Sequence, residues 1–384
     1  MDFSLTEEQR SLAVAIAAFA RDELSPDRGD ARRGFRRDAW QRCADAGVLG
    51  WAVPAEYGGE GFDPLTLAVA FEALGYGCRD NGLVFAVNNH VWACLVYLLE
   101  HGTEQQRGRW LPGLRDGSTI GAHALTELES GSDVLSLSTK AARTPEGYRL
   151  TGTKSFISNA PCADLFVAFA RTSDAGPAQR ALSAFLVPRD TPGLSVRELD
   201  KMGLHGCPMG VVEFDDCPLP TEALLGREGA GYQVFSSTIE WERGFMFAGQ
   251  VGVLRRLLED CVEHAAGRRQ FGRPLGARQG VAHPLADLRV KVELAQLLLY
   301  KIGWLKSQGR TAVLEASMLK LFVSEALVGA ATEAVRLHGA RGYVSEYGIE
   351  HELRDAVATT IYGGASEIQR TIIAALSGLP HSGQ

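Results

Sequence analysis

The chain has 384 residues, of which 46% are hydrophobic and 22% charged, and its formal net charge is −7. This length allows two or three domains with substantial cores, and the composition is typical of a globular protein. The negative charge gives no reason to expect a nucleic acid or an anionic membrane as a partner. No apolar run reaches the roughly 18–20 residues that a membrane span needs.

The N-terminal segment and the cysteines indicate the compartment. Residues 1–10 are acidic and polar, so no secretory signal is expected there. The seven cysteines are scattered, and no two form a Cys-x-x-Cys pair. This pattern predicts a reducing cytoplasm, with neither a disulfide framework nor a metal site, in which each cysteine is a small buried side chain.

The first part of the chain has the apolar spacing of helices. Thr6 can cap the first helix, and a Gly-rich connection over 51–61 follows. Two further helices are predicted over about 63–74 and 83–100. We therefore expect an N-terminal helical domain, residues 1–120.

The middle of the chain changes to the pattern of strands. Residues 148–154 alternate around a glycine, and apolar runs occupy 165–170, 182–187 and 211–214. Gly, Pro and Asp clusters separate them, as in antiparallel barrels and sandwiches. The pattern predicts a middle antiparallel β-domain, residues 121–228.

The last part returns to helical periodicity in four long segments. They are predicted over about 236–268, 284–308, 312–337 and 350–376, with Pro284 in a first turn and a Gly-Gly break at 363–364. Four such helices predict a C-terminal four-helix bundle, residues 229–384. Helices, then strands, then helices indicate an α+β protein with segregated layers.

Motifs spread over nearly the whole chain resemble those of the acyl-CoA dehydrogenase family, in order and spacing. They lie at residues 2–9, 57–61, 125–133, 154–159, 268–272 and 361–370. Each motif is weak alone, but the ordered set is specific. The resemblance implies the three domains described above, one FAD per subunit and usually a homotetramer.

The first group of implied cofactor residues belongs to the middle domain. The resemblance assigns flavin or thioester contacts to Leu125, Thr126, Ser132, Phe156, Ile157 and Ser158. Hydroxyls and backbone N–H groups in such a loop can meet a flavin edge or a pyrophosphate, although an ordinary Ser/Gly turn is the alternative for this segment alone. The family usually has Trp at the position of Phe156, whose ring can still stack on a flat face.

The second group belongs to the C-terminal domain. The resemblance assigns cofactor contacts to Arg268, Gln270, Phe271, Gln279, Arg336, Gly339, Ser366 and Glu367. An arginine fork binds phosphate well, and the motif around Phe271 reaches the FAD of a neighbouring subunit in the family. Solvated arginines at a helix end are the alternative. At Arg336 the family has Gln, so this position departs from the pattern.

The reacting centre is predicted from a loop and a helix that complement each other. The family loop commonly reads Tyr-Glu-Gly, with the Glu as catalytic base, but here Tyr362 is followed by Gly363. The isovaleryl- and long-chain branches instead use a Glu that precedes an Arg on a long helix, which this chain has at Glu242-Arg243. A surface ion pair is the alternative for an isolated Glu-Arg.

Removing a proton α to a thioester requires a carboxylate close to that carbon. Glu240 and Glu242 both qualify by residue type, but two positions apart on a helix their side chains diverge by about 200°, so only one can face a pocket. The resemblance selects Glu242 as base. It places Arg243, Gly364 and Ser132 at the substrate. His90 is expected to be a buried structural histidine.

The predicted function is FAD-dependent α,β-dehydrogenation of an acyl thioester, in which Glu242 takes the α-proton and flavin N5 accepts the β-hydride. The Trp241-Glu242-Arg243 context resembles enzymes of secondary metabolism that act on carrier-protein thioesters, but catabolic acyl-CoA enzymes share the core, so both carriers stay open. We expect a cytoplasmic homo-oligomer, a dimer or tetramer, with an electron acceptor such as an electron-transfer flavoprotein. The rivals are an oxygen-reducing oxidase and a noncatalytic flavoprotein or scaffold subunit.

Overall fold

The computed structural model describes residues 4–25 and 34–380, so Asp2 and Phe3 of the N-terminal motif and residues 381–384 lie outside it. Within these ranges helices come first, an eight-stranded sheet follows, and helices close the chain. This order confirms the α+β class, in which each layer buries its apolar face against the next.

Six α-helices lie in the N-terminal part of the described ranges. They are α1 (Glu7–Phe19), α2 (Arg37–Asp45), α3 (Pro64–Gly77), α4 (Asn81–His90), α5 (Val96–His101) and α6 (Glu104–Asp116). A π-helical turn, Val91–Leu95, joins α4 to α5. Thr6 caps α1 as expected, because its hydroxyl accepts the N–H of Gln9 while the Gln9 side chain accepts the N–H of Thr6.

The continuous helix Asn81–His101 has a mean hydropathy of 1.6 and is long and apolar enough to cross a membrane. The fold gives another reason for this composition, since 94% of its most apolar window is buried inside the protein. It is the central helix of the core, and its residues Phe85 and Asn89 reach the cavity described below.

The middle part is a single mixed sheet. Its strands are β1 (Gly121–Ala124), β2 (Lys140–Thr144), β3 (Gly147–Ser158), β4 (Leu165–Arg171), β5 (Leu182–Pro188), β6 (Leu194–Glu198), β7 (Met209–Pro220) and β8 (Leu224–Leu225). The main path runs β6-β7-β3-β2-β4-β5-β8. Most neighbours are antiparallel as predicted, but β1 pairs in parallel with β4 from Gly121 opposite Leu165 to Ala124 opposite Ala168. The loop after β1 lies beside the last part of β3, where the Ser155 N–H donates to the Thr126 carbonyl at 2.9 Å.

Long helices form the C-terminal part. They are α7 (Gly231–Gly267), α8 (Gln279–Ser307), α9 (Val313–His338), the short α10 (Ala340–Tyr343), α11 (Glu350–Thr359) and α12 (Ser366–Leu376). A two-residue hairpin, β9 (Arg269–Gln270) with β10 (Arg273–Pro274), joins α7 to α8. The predicted start of α8 was wrong: Pro284 lies inside the helix, in its second turn, and not in its first turn.

The N-terminal helices and the C-terminal bundle share one core along α7. A side chain at Gly75 of α3 would come within 2.0 Å of the Gly249 carbonyl oxygen, so the two backbones are in direct contact. The tryptophan of the base motif, Trp241, stacks on Trp92 with ring centroids 6.2 Å apart and on Phe245 at 5.1 Å. These contacts fix α7 around Trp241. They therefore also fix the direction of the side chain of the next residue, Glu242.

Candidate active site

A cavity of about 520 Å³ lies where the three parts of the chain meet. Its walls come from α4, from the loop after β1, from the end of β3, from the segment 201–209, from α7 and from α11 with the loop that follows it. Asn159 joins three of these elements, because its side-chain amide donates to the carbonyls of Ala86 and Gly121 at 3.0 and 3.3 Å. The cavity is therefore built by long-range packing of separate domains.

Glu242 lies on the α7 wall of this cavity. Only 7% of the residue is exposed, and its Oε2 is buried without a hydrogen-bond partner in the described part of the chain. Burial raises the pKa of the Glu242 carboxyl to about 7, although the neighbouring Arg243 guanidinium acts in the opposite direction. A carboxylate with these properties is a base that can gain and lose a proton near neutral pH.

Glu240 is also buried, but it has partners. Its Oε1 accepts the backbone N–H of Ala312 at the start of α9 and lies 3.4 Å from the ammonium of Lys306. The two carboxylates thus leave α7 in different directions, as the helical spacing predicts, and only Glu242 lines the cavity.

Three side chains hold the loop between α11 and α12 by its carbonyls. Arg243 donates from Nε to the Gly363 oxygen at 3.0 Å, and Gln369 donates to the oxygens of Gly363 and Gly364 at 3.1 and 3.0 Å. The fully buried Lys320 donates to the Thr360 oxygen at 3.2 Å. Arg243 therefore faces the loop backbone, and the positions 363–364 are fixed against the cavity.

The loop leaves room where the family usually has its base. Gly363 has φ +67°, a conformation that side chains rarely adopt, and a Cβ there would be 3.6 Å from the ring of Phe247. The Tyr362 ring closes this corner of the cavity, with centroids 4.4 Å from Phe85 and 5.3 Å from Phe247. The space in front of Glu242 is consequently bounded by backbone and aromatic rings.

The opposite wall comes from the sheet. Thr126, Phe156, Ile157 and Ser158 line the cavity. Phe156 is a non-glycine residue at the strained φ of +62°, and it is half exposed. A flat aromatic side chain next to two hydroxyls fits a flavin, whose planar ring system has flat faces and a polar edge. Leu125 is buried behind this wall.

A buried ion pair fixes the loop that carries Ser132. Glu127 lies 2.8 Å from the Lys154 ammonium and accepts the backbone N–H groups of Ser138 and Thr139. Burial opposes ionisation, but these partners lower the pKa of Glu127 to about 2, so it is a structural carboxylate. Ser132 itself is exposed at the cavity rim.

The C-terminal group of implied cofactor residues does not line the cavity. Arg268, Gln270, Phe271, Gln279, Arg336 and Gly339 are exposed. Phe271 is 91% exposed at φ +50°, with the guanidinium of Arg278 5.2 Å from its ring. An apolar ring among arginines, open to solvent, suits an anionic aromatic ligand.

Two members of that group lie at the start of α12. Ser366 is buried with its hydroxyl unpartnered among the described residues, and Glu367 is exposed. The unpaired hydroxyl next to the loop at 363–364 is a site for a polar ligand group.

Other cavity residues were missed by the sequence interpretation. Asn89 and His123 supply polar groups to the wall, and Arg354 holds the segment 201–204 by donating to the Met202 oxygen at 2.9 Å. His123 is a single polar residue in an apolar run, while Asn89 and Arg354 lie among other polar residues of α4 and α11, so no local pattern marks any of the three as a cavity residue. His90 is not among them, because its two ring nitrogens are bound to backbone groups of Leu114 and Gly121, as expected of a structural histidine.

Comparison with known proteins gives a consistent result. The family models for the acyl-CoA dehydrogenase N-terminal, middle and C-terminal domains match residues 6–118, 122–217 and 229–377. An L-prolyl-peptidyl-carrier-protein dehydrogenase of Pseudomonas fluorescens is 43% identical over 378 residues, which are 97% of this chain and 99% of that protein.

Solved structures are similar over almost the whole length. The prolyl acyl carrier protein oxidase AnaB has a TM-score of 0.95 at 41% identity, covering 98% of this chain and 100% of AnaB. PigA with FAD and proline has a TM-score of 0.95 at 35% identity, covering 99% of this chain and 100% of PigA.

Proposed function

The chain belongs to the acyl-CoA dehydrogenase family, and we propose that it oxidises an aminoacyl group, specifically a prolyl group, held as a thioester on a carrier protein. It is an FAD-dependent enzyme that removes two hydrogens from an acyl thioester. The single observation that supports our assignment of the chemistry is the buried Glu242 carboxylate on the cavity wall, with one oxygen that has no partner among the described residues and Gly363 where the family usually has its base.

The proposed roles follow from the positions of the side chains. Glu242 accepts the α-proton of the thioester, which needs a carboxylate that is ionised at working pH and free of competing partners. When bound, FAD supplies the acceptor, N5, for the hydride from the β-carbon. Thr126, Phe156 and Ser158 are proposed to hold the flavin edge on the sheet side, so that base and flavin face the acyl group from opposite walls.

Arg243 and the loop shape the substrate side. Arg243 keeps the loop at 363–364 in one conformation by its bond to the Gly363 carbonyl. We propose that the thioester lies between this loop and Ser132, with the acyl group towards Asn89. Fixing the α-carbon relative to Glu242 matters because small misplacements of reacting atoms cost large factors in rate.

The identity of the carrier can be tested by comparing kcat/KM for two matched substrates. The prolyl group, the thioester and the phosphopantetheine arm are the same in prolyl-CoA and in a prolyl carrier protein, so only the carrier differs. We expect at least a tenfold higher kcat/KM for the carrier-bound form, because a protein carrier adds contacts outside the cavity that CoA lacks. Equal or better turnover of the CoA ester, measured as loss of two hydrogens by mass spectrometry, would contradict the proposal.

A second candidate is an oxidase. AnaB, similar at 41% identity, is called an oxidase, whereas the Pseudomonas relative is called a dehydrogenase. Both names describe the same two-hydrogen oxidation with different electron acceptors. Stoichiometric hydrogen peroxide from air-saturated turnover would favour the oxidase, and turnover only with an electron-transfer flavoprotein or a dye would favour the dehydrogenase.

We also propose a cytoplasmic dimer or tetramer in which the exposed group around Arg268 and Phe271 contacts a neighbour's FAD. The seven cysteines are all free thiols, which suits a reducing compartment. In this proposal flavin retention and assembly are linked. Sedimentation of Phe271→Ala should show loss of FAD together with dissociation, whereas a stable FAD-loaded monomer of the wild-type protein would overturn the idea.

A further inference from the structure

The cavity wall formed by residues 201–209 is an irregular segment between β6 and β7. Most of its residues line the cavity, and Leu204 has φ +53°, a conformation that side chains rarely adopt. The Lys201 ammonium donates to the carbonyls of Gly203 and Leu204, which closes the turn on itself. A strained backbone persists only where the surrounding structure holds it, so the shape of this wall depends on its neighbours.

Helix α11 lies directly against this segment. A Cβ on Gly203 would come within 2.6 Å of the Arg354 carbonyl oxygen and of Asp355 Oδ1, so the turn meets the helix without space for a side chain. The buried Asp355 Oδ1 accepts the N–H of Leu204, the strained residue itself. Without this acceptor a buried N–H would be left unpaired, so the carboxylate stabilises this conformation of the turn.

Asp355 is in turn fixed by a buried polar network. The Asn81 amide donates one hydrogen to Asp355 Oδ2 at 3.1 Å and the other to Glu352 Oε2 at 2.8 Å. Arg256 donates to Asn81 Oδ1 at 3.1 Å and to Glu352 Oε1 at 3.0 Å. All four side chains are buried, and they join α4, α7 and α11. Such a network gives the Asp355 carboxylate one orientation.

The other end of the segment is joined to the sheet at the end of β3. The Cys207 thiol donates to Asn159 Oδ1 at 3.2 Å, and the Pro208 carbonyl accepts the Asn159 N–H at 2.7 Å. Met209 then pairs with Ser158, which belongs to the wall that we propose to hold the flavin edge. A displacement of the segment would therefore disturb this wall as well.

We propose that Asp355 is a positioning residue for the cofactor, which sets the cavity wall beside the flavin-binding end of β3 by holding the turn at Leu204. Asp355 does not itself line the cavity, so it acts on the cofactor only through residues 201–209. This role depends neither on Glu242 as the base nor on the identity of the acyl group.

Two substitutions of similar size separate the hydrogen bond from the charge. Asp355→Asn and Asp355→Leu both remove the charge and the acceptor for Asn81, but only asparagine can accept the Leu204 N–H. The Kd for FAD should rise at least tenfold in Asp355→Leu and less than threefold in Asp355→Asn. It is measured from the fluorescence of flavin released when the holoenzyme is diluted. The visible spectrum of the bound flavin should change in Asp355→Leu only.

Glu72→Gln is the matched control. Glu72 is also a buried carboxylate that joins the N-terminal and C-terminal helices, since it accepts from Gln296 and Tyr300 at 2.7 and 2.6 Å. Neither it nor these partners line the cavity. Glu72→Gln should lower the thermal midpoint and change the Kd for FAD less than threefold. Equal rises of the Kd in Glu72→Gln and Asp355→Leu would overturn the inference, because Asp355 would then act through general stability.

Two other results would also overturn the inference, and neither bears on the role of Glu242. One is a wild-type Kd and flavin spectrum in Asp355→Leu, and the other is an equal rise of the Kd in Asp355→Asn and Asp355→Leu. If Asp355→Leu does not fold, a crystal structure of the wild-type holoenzyme decides. Residues 201–209 should contact the flavin ring, and a structure with none of their atoms within about 4.5 Å of the ring would contradict the proposal.

Discussion

Two carboxylates on one helix, two residues apart, show how surroundings separate structure from chemistry. Glu240 accepts the Ala312 N–H and pairs with Lys306, so its carboxylate is bound within the fold. Glu242 is equally buried, but one of its oxygens has no partner in the described part of the chain, and it lines the cavity. The difference shows that missing hydrogen-bond partners within the fold, rather than burial, distinguish the candidate base. A buried carboxylate without partners destabilises the fold unless a ligand binds to it.

The largest expected effect is on catalysis. Glu242→Gln keeps the shape but cannot accept the α-proton, so anaerobic flavin reduction should fall by roughly 10²–10⁴-fold. Glu240→Gln on the same helix should change that rate by less than about threefold, because its side chain lies against α9. Stopped-flow bleaching of the flavin compares both variants, and an inactive Glu240→Gln beside an active Glu242→Gln would show that the wrong carboxylate was chosen.

The same Glu242→Gln substitution should increase thermal stability at high pH, although it abolishes most of the activity. The folded pKa of Glu242, about 7, lies above its usual value of 4.5, so the folded state holds a proton that the unfolded state has released. The free energy of unfolding of the wild-type protein therefore falls by at most about 3 kcal/mol as pH rises from about 4.5 to 7. Glu242→Gln should melt a few degrees higher than wild type at pH 8 and lose this advantage near pH 4.5.

Glu240→Gln is the control for that measurement. It weakens the ion pair with Lys306 and the bond to the Ala312 N–H, so it should be about 1–2 kcal/mol less stable at pH 8. Thermal melts at both pH values check the two variants together. A Glu242→Gln protein less stable than wild type at pH 8 would mean that the carboxylate has a structural partner.

A substitution on α7 should also weaken the contacts that hold the loop facing Glu242. Arg243→Lys removes the Nε bond to the Gly363 carbonyl but keeps the charge, so the loop should be held less firmly and flavin reduction should slow by about tenfold. Arg255→Lys is the control, because Arg255 lies three turns further along α7 and pairs with Glu72. Equal effects of the two changes would show that Arg243 acts only through general stability.

The smallest effect concerns moving the base back to the loop. In a Glu242→Gly background, Gly363→Glu should recover at most a few-fold in rate. Glutamate at φ +67° is strained by roughly 1–2 kcal/mol, and its Cβ would contact Phe247. Single-turnover flavin reduction measures the recovery against the Glu242→Gly parent. Full restoration would show that the loop and the helix are interchangeable supports.

The sequence predicted the order of the three parts because periodicity changes sharply between them, from helix to strand and back. The start of α8 was wrong because the apolar stripe begins only at Leu285, while the five residues from Gln279 to His283 are helical but mostly solvent-facing. The parallel β1–β4 pair was missed, since a four-residue strand carries no signal for its partner's direction.

For the site, the Gly363–Glu242 complementarity pointed to the carboxylate that lines the cavity, and its catalytic role stays a prediction. His123 could not be found in this way, because it is a single polar residue in an apolar run and reaches the cavity only through tertiary packing. The exposed residues around Phe271 stay a prediction as well, since one protomer alone offers them no ligand.

The most direct test of the relocated base is the pH dependence of anaerobic flavin reduction in the wild-type holoenzyme. A carboxylate must be ionised to accept the α-proton, so the rate should rise about tenfold per pH unit below a midpoint near 7 and level off above it. The residual rate of Glu242→Gln should not show this midpoint near pH 7. A wild-type rate that is independent of pH from about 5 to 9, or the same midpoint in Glu242→Gln, would contradict the assignment of Glu242 as the base.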